Sequence, residues 1–367
     1  MLGTVFGLEA TERGLTILVD LPNSLLPDTS AWRDRRRIAV EWFTMLHAHF
    51  GSLPFSAITC CTYPNVGSNN GDLPPVVTLV DSVTKEHVTR NVAEMPLANL
   101  LQGSSVVLAV TELSATAPLK VLARQHGFRG ATLPGFTRSM VPSLLLDYEK
   151  VNRRVMELKE RLDRASQARI LLRDGNGRYE SIFDLRFRSG HASGGIIREA
   201  GTVGNLPSGE AYIVPYEGER PDEKSGTAGL LPVQFGDEVV VFRLANNRCV
   251  AVETHGEQST IQRQRIAAEP AYGNIAELGI GVLGEWGVEA VGSTLLDEKL
   301  GLHIAFGRSE HFGGATGPGA FRDPRNVIHI DWVYVPSVQP KIAVESVLLN
   351  YPGRPDEMVI QHGRLGI

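Results

Sequence analysis

Hydrophobic and polar positions alternate along the first 140 residues in a way that predicts strands separated by helices. Apolar positions recur at helical spacing from Ser30 to Phe50, and a second helix is predicted through Lys120, ending at Gly127. This alternation predicts an α/β domain with a parallel sheet. The predicted strands are short runs rich in β-branched residues, namely Leu15–Asp20, Phe55–Thr62 and Ser105–Thr111.

A long amphipathic helix is predicted at the end of this region. From Leu144 to Ala165, apolar residues recur at spacings of three and four, with charged residues between them. Beyond it the apolar runs are short and punctuated by Gly and Pro, as at Ala168–Leu172, Ala211–Pro215 and Asp237–Arg243. We therefore predict the fold class α/β plus α+β, with an α/β domain over residues 1–165 and a mostly β domain over residues 166–367.

Composition and charge narrow the classes of partner. The 367 residues carry a formal net charge of -5, without the basic excess typical of nucleic-acid-binding proteins. No glycine-rich nucleotide-binding motif follows a predicted strand. We expect a small-molecule or short-peptide substrate, and neither a nucleic acid nor a membrane as partner.

The termini and the cysteines suggest a cytoplasmic location. The first residues lack the basic and apolar stretches of a signal peptide, and no uncharged run of ~20 residues is apolar enough to span a bilayer. The three cysteines, Cys60, Cys61 and Cys249, cannot form a disulfide framework, and we interpret them as core thiols in a reducing compartment.

Polar residues in one apolar strand raise the question of chemistry. His329 and Asp331 lie two positions apart in a β-branched run, so both side chains face the same side of a strand. A buried imidazole beside a carboxylate needs a partner. The pair is either a structural hydrogen bond or two ligands of one metal ion.

Three further residues, Glu210, Glu277 and His303, each stand alone in an apolar, glycine-rich context. Singly, each is explained by a cap or by a satisfied core hydrogen bond. Together with His329 and Asp331 they supply three carboxylates and two imidazoles, which suits a pair of zinc, cobalt or manganese ions better than calcium. Two such ions ~3.5–4 Å apart activate water, which is hydrolytic chemistry.

The order of these motifs carries a resemblance to a known family. Gly204-Asn-Leu-Pro-Ser-Gly-Glu210, then Glu277, then Asp297-Glu-Lys-Leu-Gly-Leu-His-Ile-Ala-Phe-Gly307, then His329-Ile-Asp331 resembles the thermophilic aminopeptidase family, which includes aminopeptidases T and S. The resemblance implies a homodimer in which each chain has an α/β amino-terminal domain and a metal-bearing, catalytic carboxy-terminal domain. It also implies a dinuclear metal centre with Glu210, Glu277, His303, His329 and Asp331 as ligands.

One departure from the family pattern lies close to these motifs. The family has a tyrosine seven positions beyond the motif histidine, whereas this sequence has Glu310, followed by His311. Either residue is a candidate general acid, general base or extra ligand, and a solvated loop is the alternative. Substrate preference therefore does not transfer from the family.

Two other functions stay open at the level of the sequence. The same fold resembles the 2,5-dihydroxypyridine ring-cleaving dioxygenases, in which two histidines and an aspartate hold one Fe(II). In those enzymes a histidine matches Glu277 and the position of Glu210 is not acidic, so both glutamates favour the hydrolase. His303, His329 and Asp331 form the corresponding triad if Glu277 is not a ligand. The third possibility is a non-catalytic or biosynthetic accessory protein of the same fold.

Overall fold

The chain divides into two compact units. The computed structural model describes residues 1–24, 26–80, 83–84, 87–88 and 91–366, and only the backbone of residues 83–84, 87–88, 91–92 and 324. The first unit comprises Met1–Lys150 and Gly195–Ser208, and the second comprises Val151–Gly194 and Gly209–Ile367. The prediction placed a single boundary after residue 165, whereas the first unit here ends at Lys150 and also includes residues 195–208. Of these, residues 203–205 return to the first sheet as a parallel strand.

The first unit contains a mixed, mainly parallel sheet, as predicted. Its seven strands run in the order β12-β8-β7-β1-β2-β3-β6, in which the first five are parallel, β3 is antiparallel to β2, and β6 is antiparallel to β3. β4 and β5 form a separate antiparallel pair. The strands of this unit are β1 (Gly14–Leu21), β2 (Ile58–Pro64), β3 (Val76–Val80), β4 (Val83–Thr84), β5 (His87–Val88), β6 (Asn91–Pro96), β7 (Ser104–Val110), β8 (Arg129–Thr132) and β12 (Val203–Asn205).

The central strands of this sheet are apolar on both faces. Every residue of β7 is buried, as expected for a parallel strand covered by helices on both sides. The helix that follows ends at Gly127, whose φ of 69° provides the left-handed cap predicted from the sequence. The α-helices that begin in this unit are α1 (Leu2–Phe6), α2 (Ser30–Ala48), α3 (Leu97–Gln102), α4 (Thr116–His126) and α5 (Tyr148–Arg164).

Helix α5 begins four residues later than its apolar pattern predicts. The side chain of Asp147 accepts hydrogen bonds from the backbone N–H groups of Glu149 and Lys150, which defines the start of the helix. Residues 138–145 form 3₁₀ turns instead. No helix among the described residues is both long and apolar enough to cross a membrane.

The second unit is mostly β, as predicted. An antiparallel eight-stranded sheet has the order β16-β15-β14-β10-β9-β20-β21-β22, and a five-stranded antiparallel sheet has the order β11-β13-β17-β18-β19. Its helices are α6 (Glu257–Ala268) and α7 (Thr294–Asp297), in addition to the later part of α5. The strands are β9 (Gln167–Arg173), β10 (Arg178–Asp184), β11 (His191–Ser193), β13 (Glu210–Ile213), β14 (Ala228–Phe235), β15 (Glu238–Ala245), β16 (Arg248–Val252), β17 (Ile275–Gly281), β18 (Leu302–Gly307), β19 (His329–Val333), β20 (Ala343–Asn350), β21 (Glu357–Gln361) and β22 (Arg364–Leu365).

The five-stranded sheet separates its polar and apolar side chains by face. In β18, His303 and Ala305 share one face, whereas Leu302 and Ile304 point to the other and are buried. The register pairs Ala305 with both Glu277 and Asp331, which places these two carboxylates on the face of His303. The alternation of a strand therefore gathers the polar residues on one surface, while the aliphatic residues form the core behind it.

Candidate metal centre

All five residues predicted as ligands lie on this polar face. Glu210 begins β13, Glu277 lies in β17, His303 lies in β18, and His329 and Asp331 lie in β19. Their potential ligand atoms form two groups, each with all atoms within 4.8 Å of one another. The first group is Glu210, Glu277 and His303, and the second is Glu277, His329 and Asp331. Glu277 belongs to both groups.

The two oxygens of Glu277 are divided between the two histidines. Oε1 lies 3.2 Å from Nε2 of His303, and Oε2 lies 3.4 Å from Nε2 of His329. Each group has a further carboxylate at its outer side. Oε2 of Glu210 lies 3.5 Å from His303 Nε2, and Oδ1 of Asp331 lies 3.5 Å from His329 Nε2.

Small residues beneath the cluster make room for these side chains. In the register, Gly279 of β17 faces His303 of β18. A Cβ at Gly279 would lie 1.9 Å from Nε2 of His303, so the imidazole occupies the space that any larger residue would fill. Gly281 is also constrained, because a Cβ there would lie 2.0 Å from the backbone carbon of Lys299.

The backbone fixes the orientation of His329. Its Nδ1 lies 2.8 Å from the carbonyl oxygen of Arg308, and because a carbonyl only accepts, Nδ1 carries the proton of that hydrogen bond. Nε2 is thereby directed at Glu277 and Asp331, with its lone pair free for a metal ion when the ring is neutral. In metal-binding histidines, the ring nitrogen that does not bind the metal usually donates a hydrogen bond to a group of this kind.

The electrostatics of the cluster are dominated by its carboxylates. Burial disfavours the charged imidazolium, but hydrogen bonding to Glu277 and the charge of Glu210 outweigh it and raise the pKa of His303 to about 9. Burial likewise opposes protonation of His329, yet Asp331 and Glu277 raise its pKa well above the usual value. Both rings take up protons to balance the carboxylates, and a cation would replace those protons.

A second observation, besides the pKa shifts of the histidines, indicates that these residues fit a divalent cation. Oε2 of Glu210 is buried and has no hydrogen-bond partner among the described residues. A buried carboxylate oxygen that accepts no hydrogen bond is costly and calls for an ion or an ordered water. Imidazole nitrogens mixed with carboxylate oxygens suit zinc, manganese, cobalt or iron.

Sequence reasoning did not assign a role to two polar residues beside the cluster. Lys299 is 1% exposed, and its Nζ donates hydrogen bonds to Oε1 of Glu210 and to Oε1 of Glu298. Burial disfavours the ammonium, but the two carboxylates raise the pKa of Lys299 above its usual value. Its position in the Asp-Glu-Lys motif was a signal, but its burial was not visible in the sequence.

Tyr212 was also missed, although its spacing was informative. It lies two residues after Glu210 in β13, on the same face, and pairs in register with Gly279. Its ring stacks on His191 with centroids 5.0 Å apart, and it meets Phe312 edge to face at 4.9 Å. Burial, followed by the charges of Glu277 and Glu210, raises the pKa of its phenol.

The two residues predicted as acid or base differ in placement. Glu310 and His311 both lie in the 3₁₀ turn Glu310–Phe312. The carboxylate of Glu310 forms an ion pair with Arg308 at 2.7 Å, whereas the ring of His311 lies 5.2 Å from that of His329. Burial and the neighbouring charges of His329 and Arg308 lower the pKa of His311 to about 4. His311 is therefore a neutral base that lies beside His329 of the cluster.

Comparisons with known proteins show a similarity in fold and no similarity in sequence that identifies a family. No protein-family model and no curated protein sequence matches the chain. One similar solved structure is the 2,5-dihydroxypyridine dioxygenase of Pseudomonas putida KT2440, with a TM-score of 0.58 and 14% identity, over 96% of this chain and 91% of that chain. Another is wild-type AmpT from Thermus thermophilus, with a TM-score of 0.56 and 13% identity, over 100% of this chain and 96% of that chain.

Proposed function

We propose that the protein is a metal-dependent hydrolase of the aminopeptidase or amidase type, with two divalent ions held by Glu210, Glu277, His303, His329 and Asp331. The observation that carries this proposal is the division of Glu277 between two groups of ligand atoms. A carboxylate with one oxygen toward each group has the arrangement expected of a ligand shared by two ions. The motif resemblance to the thermophilic aminopeptidases supports the same conclusion.

The charges of the cluster also favour two ions. Glu210, Glu277 and Asp331 carry three negative charges, and Lys299 neutralises part of the charge on Glu210. Two divalent ions with neutral imidazoles would leave a small positive excess, which is suited to a polarised carbonyl oxygen or an ionised water. When bound, such ions lower the pKa of water and polarise the carbonyl of a scissile amide.

The chain's own residues have distinct roles in this proposal. The Arg308 carbonyl keeps Nε2 of His329 directed at the cluster. His311, which is neutral at pH 7 because its pKa is about 4, accepts a proton or a substrate hydrogen bond at the rim. Tyr212, Phe312 and His191 form an aromatic wall that would pack against an apolar substrate group.

A ring-cleaving dioxygenase is the second candidate, because the chain contains two histidines and an aspartate of the kind that holds Fe(II). The fold is also similar to that of a dihydroxypyridine dioxygenase. In the described residues, however, His303 and Asp331 fall in different groups of close ligand atoms, and Glu277 lies in both. A mononuclear triad would leave Glu277 and Glu210 as extra buried carboxylates beside the iron, which makes this function the weaker proposal.

The test is an activity screen with matched variants. Protein loaded with Zn²⁺, Co²⁺ or Mn²⁺ is assayed with aminoacyl amides and dipeptides, and protein loaded anaerobically with Fe²⁺ is assayed for oxygen uptake with 2,5-dihydroxypyridine. The proposal expects amide hydrolysis that is lost in Glu277→Ala and kept in Glu180→Ala, a surface glutamate paired with Arg169. Oxygen uptake without hydrolysis would contradict the hydrolase. If the protein shows neither hydrolysis nor oxygen uptake, the result would favour an accessory protein.

A further inference from the structure

A buried lysine beside the cluster contacts one of the proposed ligands. Lys299 is 1% exposed and its ammonium donates to both Glu210 and Glu298. An ammonium is removed from water at a large cost unless carboxylates compensate for it. Lys299 is therefore held by charge at this position, and aliphatic packing alone would not retain it.

The lysine makes the two oxygens of Glu210 unequal. Oε1 accepts the hydrogen bond from Lys299. Oε2 is buried without a hydrogen-bond partner among the described residues, and it lies 3.5 Å from Nε2 of His303. One oxygen is thus committed to the protein, and the other is available on the side of the first ligand group.

The segment that carries Lys299 is itself anchored. The carboxylate of Asp297 accepts hydrogen bonds from the backbone N–H groups of Val291 at 2.8 Å and Gly292 at 3.0 Å. On the other side, the backbone N–H of Gly281 donates to the carbonyl of Gly301 at 2.8 Å. Because Gly281 has no Cβ, the backbone of Lys299 packs directly against β17. The ammonium has little freedom to leave Glu210.

We infer that Lys299 is a positioning residue that keeps Oε1 of Glu210 from binding a metal ion. Glu210 then binds a metal ion through Oε2 alone, and Glu277 is the only carboxylate of the first group that is shared between ions. This inference rests on the metal centre proposed above. A carboxylate restricted to one oxygen leaves a coordination position open, which catalytic sites need for water or substrate.

The direct test is a crystal structure of the wild-type protein loaded with Co²⁺. The inference expects an ion in contact with Glu210 Oε2, and Oε1 still bonded to Lys299. An ion held by both oxygens of Glu210, or by Oε1, would overturn it. A wild-type protein that binds no Co²⁺ at this cluster would refute the metal centre itself, which separates the failure of the proposed function from the failure of this inference.

A variant series adds a solution readout. In Lys299→Met, Glu210 is free to bind through both oxygens, and the higher coordination number should weaken the visible d–d absorption of bound Co²⁺. The change should disappear in a Glu210→Ala background, where there is no carboxylate to release. Lys159→Met, which removes a lysine paired with Asp163 on α5, is the control and should leave the spectrum unchanged.

Two outcomes of the series would overturn the inference. One is a Lys299→Met spectrum identical to wild type at equal Co²⁺ occupancy. The other is the same spectral change with and without the carboxylate of Glu210, which would mean that Lys299 acts on the fold in general. If Lys299→Met does not fold, the wild-type structure with Co²⁺ still decides the question, because it needs no substitution.

Discussion

The imidazole of His303 lies directly over Gly279 on the neighbouring strand, in the space where a side chain would be. This relationship explains how a fully buried histidine is accommodated on a sheet face that also carries three carboxylates. It also shows that the cluster depends on a residue with no polar group. The glycine sets the position of Nε2, and Nε2 sets the distances to Glu277 and Glu210.

Gly279→Ala should therefore impair metal binding. The new Cβ would lie 1.9 Å from His303 Nε2 on the present geometry, so the ring must move. We expect metal affinity to fall by about 10–100-fold and stability by about 1–3 kcal/mol, as for other overpacked sites. Isothermal titration with Zn²⁺ and urea unfolding measure the two effects. Gly177→Ala is the control, since a Cβ there meets nothing within 4 Å, and equal affinities in the two variants would contradict this prediction.

Substitutions of Glu277 and Asp331 should differ in how many ions they remove. Glu277 belongs to both ligand groups, whereas Asp331 belongs only to the second. We expect Glu277→Ala to lose both ions and Asp331→Ala to keep the ion of the first group. Elemental analysis after dialysis against metal-free buffer gives the stoichiometry. Equal occupancy in the two variants would mean that Glu277 is not shared.

Metal binding should tighten as pH rises. In the metal-free protein the pKa of His303 is raised to about 9 against an ordinary value of 6.5, so the ring is protonated at pH 7 and must lose that proton to bind an ion. We expect the Zn²⁺ affinity to increase from pH 6 to about pH 9. Calorimetry in buffers of different ionisation enthalpy should detect protons released at pH 7. Binding without proton release would contradict the electrostatic account.

The same shift predicts how the metal-free protein responds to pH. Because the pKa of His303 is higher in the folded state, its contribution to stability is complete below about pH 6.5 and is lost as pH rises through about 9. Urea unfolding of metal-free protein should thus show a decline in stability over this range. His303→Gln should flatten that decline, and an unchanged slope in this variant would assign the pH dependence to other groups.

His311 and Glu310 should contribute unequally to any hydrolytic activity. Glu310 is paired with Arg308, whereas His311 lies against His329 and stays neutral above about pH 4. We expect His311→Ala to lower kcat by about 100-fold or more, as for loss of a general base, and Glu310→Gln to leave kcat nearly unchanged. Steady-state kinetics at equal metal occupancy measure both. The reverse order of effects would make Glu310 the catalytic group.

The sequence predicted the layers of the fold well because strand and helix periods are local properties. The run Ser105–Thr111 and the strand Ser104–Val110 nearly coincide, and Gly127 ends α4 as expected. The start of α5 was predicted too early, because the capping side chain of Asp147 is a single residue inside an otherwise continuous apolar pattern. The return of residues 203–205 to the first sheet has no local signal at all.

The candidate site divides in the same way between local and non-local information. His329 and Asp331 share a strand face, which their spacing alone predicts. That Glu277 lies between His303 and His329 depends on the register of β17, β18 and β19, which no single strand encodes. Lys299 reaches Glu210 from a 3₁₀ turn, where no periodic pattern marks a buried residue. The role of the five residues as ligands stays a prediction.

Metal content distinguishes a dinuclear centre from a single iron site and from a protein without a metal. Protein purified with oxygen excluded, and without added metal or chelator, should contain close to two zinc, cobalt or manganese ions per chain, and Glu277→Ala should contain none. One iron per chain would contradict the dinuclear hydrolase and favour ring-cleaving oxygen chemistry. A chain that contains no metal and binds none when Zn²⁺, Co²⁺ or Mn²⁺ is supplied would contradict the metal centre altogether.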